Sequence, residues 1–180
     1  MITLITGGVR SGKSRYAVEL AMRRAEKRIF IATAEALDDE MKLRIANHRR
    51  ERGNAFQTAE APVFLAEAVM TAADQAPLMV VDCLTVWVSN LLHHFQGKDE
   101  AIAVELRSFI QTVASGVLDM ILVTNEVGLG IMPENFLARQ FSDLLGQLNQ
   151  EMARHSDEVI LMVSGIPQVI KGQMHHARLD

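Results

Sequence analysis

Cysteine is nearly absent from this chain of 180 residues. The single Cys83 has no partner for an internal disulfide, and its apolar neighbours make it a small core residue rather than a nucleophile. An excess of basic charge is also missing. The 18 Lys and Arg against 22 Asp and Glu leave a net charge of −4, which argues against a nucleic-acid tract as the main ligand. No apolar run is long enough to span a membrane, and no signal-peptide pattern precedes the first apolar run at Met1, so the expected location is the cytoplasm. Repeats and low-complexity tracts are lacking. Clear loop signals are few, and Arg52-Gly53-Asn54 is the best of them in the first half. What remains is ordinary: 49% apolar and 22% charged residues, expected to form one domain over residues 1–180 with a real core.

Five apolar runs read as buried parallel strands: Met1 to Thr6, Arg28 to Thr33, Leu78 to Asp82, Leu118 to Thr124, and Glu158 to Ser164. Helical patterns alternate with them. Tyr16, Leu20 and Ala21 recur at helical spacing within Ser14 to Glu26; Leu37, Met41, Ile45 and His48 share a face within Leu37 to Arg50. Val63 to Ala73 is alanine-rich, Leu84 to His94 is apolar almost all round, and Ala101 to Ala114 carries Ile102, Leu106, Phe109 and Ile110. Glu134 to Arg154 carries a long stripe of Leu137, Phe141, Leu144, Leu148 and Met152, with Pro133 expected to open the helix. The tail from Gln168, including Met174-His175-His176, shows no periodicity and is expected to be loose. This alternation predicts an α/β fold with a mostly parallel sheet and helices on both faces.

Gly7-Gly8-Val9-Arg10-Ser11-Gly12-Lys13-Ser14 is a complete GxxxxGKS phosphate loop, placed between a predicted strand and a predicted helix. Glycines let backbone N–H groups curl around phosphate oxygens, and the helix N-terminus adds its partial positive charge. Lys13 is expected to reach the β/γ-phosphates and the Ser14 hydroxyl to ligate Mg²⁺. Asp82 ends a buried strand, where a carboxylate either holds Mg²⁺ opposite the loop serine or caps the following helix.

Two further stretches carry polar groups. From Asp38 to Arg52 acids crowd the start of a helix and bases its end, which suits the macrodipole. The same stretch places His48, one of six histidines, near Arg44, Arg49 and Arg52; a neutral imidazole among guanidinium groups would be a nucleophile beside an anion site. Thr124 to Asn135 follows a strand and reads either as a pocket lining or as a polar turn with a helix cap.

Together these stretches resemble the bifunctional adenosylcobinamide kinase/adenosylcobinamide-phosphate guanylyltransferase family of cobalamin biosynthesis. The resemblance covers nearly the whole chain. It rests on Thr6 to Arg15, Ile31-Ala32-Thr33-Ala34, Asp38-Asp39-Glu40-Met41 with Arg44-Ile45 and His48, Thr58-Ala59-Glu60, and Asp82. Thr124-Asn125-Glu126-Val127-Gly128, Pro133-Glu134-Asn135, Asn149-Gln150 and Val163-Ser164-Gly165 complete it. It implies a P-loop NTPase of the RecA-like kind, taking GTP and ATP with Mg²⁺, and a homotrimer. It implies phosphorylation of adenosylcobinamide, then attack of His48 on the α-phosphate of GTP and transfer of GMP from the histidine to adenosylcobinamide phosphate. Nucleotide contacts carry over to Gly7 through Ser14, to Ala32, Thr33 and Ala34, to Arg49, Arg50, Glu51 and Arg52, and to Glu60 and Asp82.

Gly53 stands where the family commonly has a proline, and Phe56 where it commonly has a tryptophan. Gly53 loosens its loop and Phe56 offers less stacking area, which bears on base or substrate affinity and not on phosphate chemistry. Leu84 to Leu92, with Trp87, is either a buried core helix or part of the trimer contact. Two other readings compete: a small-molecule kinase with no guanylyl step, and a nucleotide-driven switch module of the RecA type.

Overall fold

The structure, a computed structural model, describes residues 1–36, 39–96 and 98–173; the side chains at 40, 44, 47, 48, 51 and 52 are outside the description. Strand β1 (Ile2–Gly7) leads through the glycine loop into helix α1 (Lys13–Arg24), followed by β2 (Arg28–Ala32), α2 (Asp39–Arg52) and β3 (Gln57–Glu60). Then come α3 (Leu65–Ala72), β4 (Leu78–Asp82), α4 (Leu84–His94), α5 (Asp99–Ala114) and β5 (Asp119–Val123). The chain continues with α6 (Phe136–His155), β6 (Glu158–Val163) and β7 (Ile166–Lys171). These strands form one sheet in the order β3-β2-β4-β5-β1-β6-β7, all parallel except β7, which returns antiparallel on β6.

Parallel strands covered on both faces must be apolar at successive positions, because odd and even side chains both enter a core. β4 illustrates this: Met79 and Val81 join one cluster, Leu78 and Val80 the other. The two faces are covered unequally. Helices α3, α4, α5 and α6 bury the first cluster, around Trp87, Phe109, Leu145 and Leu148. Helix α1 covers the second with Tyr16, Ala17, Leu20 and Ala21. Trp87 is fully buried, packs edge-on against Phe109, and donates its indole N–H to the Val63 carbonyl at 2.7 Å, so α4 is a core helix. At the N-terminal edge of the sheet the Arg24 guanidinium meets Glu158 at 2.9 Å and Thr3 Oγ1 at 2.7 Å, replacing the water that both charges lose on burial.

Several expectations need correction. β3 and β7 are strands with no apolar run to announce them; both are sheet edges with little to bury, and most of their residues stay exposed. Residues 168–171 are therefore ordered in β7, not loose. Helix α6 begins after Asn135, whose side chain accepts from the Ala138 N–H at 3.2 Å, so Pro133 lies ahead of the cap instead of opening the helix. The apolar stripe of α6 is buried only in its second half: Leu148 and Met152 enter the core, while Leu137 stands 57% exposed.

Candidate functional site

The C-terminal ends of parallel strands are where an open α/β sheet collects ligands. β1 delivers the glycine loop there. Gly7 has φ +144°, and a Cβ on it would stand 2.4 Å from the Met162 carbonyl oxygen, so only glycine lets β1 turn so close to β6. Gly12, at φ +93°, occupies the N-cap of α1 with no side chain to obstruct the first free N–H groups. Gly8, Val9 and Arg10 are exposed at the rim, while Ser11 and Lys13 are buried. The Lys13 ammonium donates to the Gly8 carbonyl at 2.6 Å and lies 3.4 Å from Ser11 Oγ, which holds the charge across the mouth of the loop. Support comes from the β6–β7 turn, where the Gly165 N–H donates to the Ser11 carbonyl at 3.0 Å.

Beside the loop a cavity of about 90 Å³ gathers residues from six elements. Ser14 and Asp82 line it with Ala32 at the end of β2 and Ala34 beyond it, with Met41, Ile45 and Arg49 of α2, and with Glu60 and Val86. Met41, Ile45 and Arg49 recur every four residues, so one face of α2 fronts the cavity. Arg49 forms an ion pair with Glu60 at the exposed rim. The positions expected from sequence as Ser14, Ala32, Ala34, Arg49, Glu60 and Asp82 are thus brought together around one space. Leu37 and Asp38, the side chains of Arg44, His48, Glu51 and Arg52, and the tail at Met174-His175-His176 are outside the described residues. The backbone of His48 lies in α2, next to Arg49.

Asp82 does not cap α4; that place is taken by Cys83, whose sulfur accepts from the Val86 N–H at 3.5 Å. Burial pushes the Cys83 thiol up to about 12, and the adjacent Asp82 charge acts in the same direction. Cys83 packs against the second core cluster and also lines the cavity, so it is a core residue at the edge of the site. Thr33 is fully buried: its hydroxyl accepts from the Cys83 N–H at 2.9 Å and donates to the Cys83 carbonyl at 2.8 Å. Its role here is to clamp the ends of β2 and β4, leaving Ala32 and Ala34 to line the cavity. Arg50 lies exposed on α2 outside that lining.

The Thr124 to Asn135 stretch begins as a braced connection. The Asn125 N–H donates to Thr85 Oγ1 at 2.7 Å, the Thr124 hydroxyl donates to Asn149 Oδ1 at 2.8 Å, and Asn149 returns its amide to the Asn125 carbonyl at 3.0 Å. The Glu126 N–H then donates to the Gly7 carbonyl at 3.1 Å, tying β5 to the glycine loop. Sequence reasoning did not single out Thr85 or the bracing role of Asn149. An asparagine on the buried stripe of a long helix was the available signal. Gly53 closes α2 at φ +55°, its N–H donating to the Arg49 and Arg50 carbonyls, a bond that proline cannot make. Phe56 is buried against Phe30 with ring centroids 5.9 Å apart, so its area goes to the core and not to a base.

Hydroxyl and carboxylate oxygens from Ser14 and Asp82 on one cavity suit a hard divalent cation, which keeps most of its shell as water and phosphate. Among the described residues no group of three or more His, Cys, Asp or Glu side chains could hold a metal by itself.

Strand order, glycine loop and strand-ending acid define the class: an α/β phosphate-loop NTPase of the RecA-like kind. A solved ATPase of the type III secretion system of pathogenic bacteria shares the fold, with a TM-score of 0.55 at 9% identity over 89% of this chain and 50% of that one. Within that class the chain belongs to the CobU family, described as cobinamide kinase / cobinamide phosphate guanyltransferase, which matches residues 3–170. The bifunctional adenosylcobalamin biosynthesis protein CobU of Salmonella typhimurium is 42% identical over 95% of this chain and all of its own length. Its Escherichia coli counterpart is 39% identical, also over 95% of this chain and its whole length. The corresponding protein CobP of Pseudomonas aeruginosa is 38% identical over 96% of this chain and 99% of its own.

Proposed function

We propose that this chain phosphorylates adenosylcobinamide with a nucleoside triphosphate and then transfers GMP from GTP to the product through His48. The observation that carries the reading is the convergence of Ser14, Asp82 and the Met41–Ile45–Arg49 face of the helix that holds His48 on one cavity. In the kinase step the hydroxyl of the aminopropanol arm attacks the γ-phosphorus. A P–O bond forms, the bond to the β-bridging oxygen breaks to release the nucleoside diphosphate, and the hydroxyl proton passes to solvent water. Such transfer needs positioning and charge neutralisation more than covalent help, which Lys13, the loop N–H groups and the rim arginines supply. Mg²⁺, held by Ser14 and Asp82, would neutralise the bridging and terminal phosphate oxygens.

In the transferase step a neutral ring nitrogen of His48 attacks the α-phosphorus of GTP, forming an N–P bond and releasing pyrophosphate. A phosphate oxygen of adenosylcobinamide phosphate then attacks the same phosphorus and the N–P bond breaks. One difficult displacement becomes two easier ones. Gly7 through Ser14, Ala32 to Ala34, Arg49 to Arg52, Glu60 and Asp82 hold the nucleotide in this reading. Residues 1–180 act as one catalytic domain in a cytoplasmic homotrimer. The test is incubation with Mg²⁺ and GTP labelled at the α-phosphate, followed by denaturation. Acid-labile, alkali-stable label on the wild type and none on His48→Asn is the expected result. An unlabelled wild type that still binds nucleotide would leave a plain kinase.

A further inference from the structure

A second and larger concavity, about 810 Å³, lies outside the nucleotide site. Its walls are the C-terminal half of α4, the start of α5 and the first turns of α6. The floor is apolar, with Ile102 and Phe141, and Phe136 stands at the edge 70% exposed. Uncharged hydrogen-bonding groups ring it: Ser89, Asn135 and Gln140. Among the described residues Asp99 is its one carboxylate and already accepts from the Gln140 amide at 3.1 Å, His93 is its one imidazole, and no lysine or arginine lines it.

Such a surface is unsuited to a polyphosphate, which calls for cations and free N–H groups. It fits a broad apolar molecule fringed with neutral amides, since each Asn or Gln side chain can both donate to and accept from a carboxamide. A corrinoid is that kind of molecule, an apolar macrocycle carrying carboxamide arms. The position fits as well. Val86 of α4 faces the nucleotide cavity and Ser89, three residues on, faces the groove, so about 4.5 Å of helix axis separates the two. The loop that starts against Gly7 through Glu126 ends at Asn135 in the groove wall. Asn90, also in the wall, donates to the Thr33 carbonyl at 2.8 Å and so anchors the groove to the end of β2.

Resting on the proposed kinase and transferase activities, we infer that this groove seats the corrin ring of adenosylcobinamide by its amide-bearing edge. The aminopropanol arm then crosses the end of α4 toward the glycine loop. Phe136 packs on the macrocycle, and Gln140 and Asn135 bond the amides.

The experiment compares wild type with Phe136→Ala/Gln140→Ala, using adenosylcobinamide as the varied substrate in the kinase assay. The expected result is a KM for adenosylcobinamide raised about tenfold or more. The KM for nucleotide, labelling by α-labelled GTP in the absence of corrinoid, and the oligomeric mass stay unchanged, and Phe136→Tyr restores most of the affinity. Wild-type activity with an unaltered corrinoid KM in the double variant would overturn the inference alone. A change of oligomeric mass in the variant would also overturn it, assigning the groove to contact between copies. A wild type inert toward adenosylcobinamide would instead refute the proposed function beneath it.

Discussion

Replacing Asn149 with leucine isolates the brace at the end of β5. Asn149 is 9% exposed on α6, and its amide bonds both the Thr124 hydroxyl at 2.8 Å and the Asn125 carbonyl at 3.0 Å. Leucine has a similar size but no polar atom. Thr124 keeps Thr85 at 3.4 Å, whereas among the described residues the Asn149 amide is the partner that the Asn125 carbonyl loses. An unsatisfied carbonyl costs about 1–3 kcal/mol, and the lost bond from Thr124 adds about 1 kcal/mol. Leucine burial returns about 1 kcal/mol, so the net loss is about 1–3 kcal/mol. Urea unfolding followed by Trp87 fluorescence reads this directly, because Trp87 is the one tryptophan and is fully buried. Thr124→Val removes the opposite end of the same bond. In a double-mutant cycle the two substitutions should couple by about 1 kcal/mol. The connection to Gly7 through Glu126 adds a functional consequence: nucleotide affinity should fall in Asn149→Leu at a temperature where the variant is fully folded. A stability loss below about 0.5 kcal/mol, or strictly additive effects, would refute the brace.

Gly7→Ala should fail to bind nucleotide in an equilibrium titration, because its Cβ would stand 2.4 Å from the Met162 carbonyl oxygen at a φ of +144°. The Cys83 thiol, pushed up to about 12 from an ordinary 9.0, should alkylate with iodoacetamide at pH 8 about a thousandfold more slowly than in the urea-unfolded chain. Below pH 9 that thiol is protonated in both states and contributes nothing; above pH 9 the unfolded chain ionises first, so stability falls as pH rises. Cys83→Ala should flatten that part of the curve, and equal alkylation rates would refute the burial. Crystals without nucleotide, with GTP and with GMP linked to the protein should differ in the position of α2 relative to β1; one shared position would count against movement of that helix.

Some of this was legible in the chain because single physical demands left single signatures. A strand buried on both faces must be apolar throughout, and that demand bounded β4 to the residue, with Asp82 at its end. The phosphate loop was legible because its glycines answer to backbone geometry rather than to packing. β3 was not, since Gln57–Glu60 at the sheet edge has little to bury and so no pattern. β7 was missed for the same reason, with Ile166 and Ile170 more than half exposed. The face of α6 misled in the other direction: Leu137 fits the amphipathic stripe, but the first turn of the helix borders the groove instead of the core. In the site, side chains that would touch phosphate were readable by type. The braces were not, because Thr33, Thr85 and Asn149 act through backbone groups whose neighbours only the fold supplies.

The two proposed steps demand attack at phosphorus atoms that lie a bridging phosphate apart, and the fold divides rigidity unequally between the parts that would meet. The glycine loop is fastened at Gly7 to β5 through Glu126 and at Ser11 to the β6–β7 turn, and Lys13 is buried within it. A triphosphate bound there is held against the most heavily paired part of the sheet. Helix α2 is built otherwise. None of its described side chains belongs to either core cluster, and its acids and bases are sorted along its axis, which suits the macrodipole. Its exposed ion pair from Arg49 to Glu60 is worth at most about 1 kcal/mol. Shifting a helix whose described side chains stay out of both core clusters costs less than shifting the loop, whose displacement would break the sheet's own hydrogen bonds. If His48 is the nucleophile as proposed, the economical way to serve both phosphorus atoms is therefore to keep the triphosphate fixed and let α2 travel.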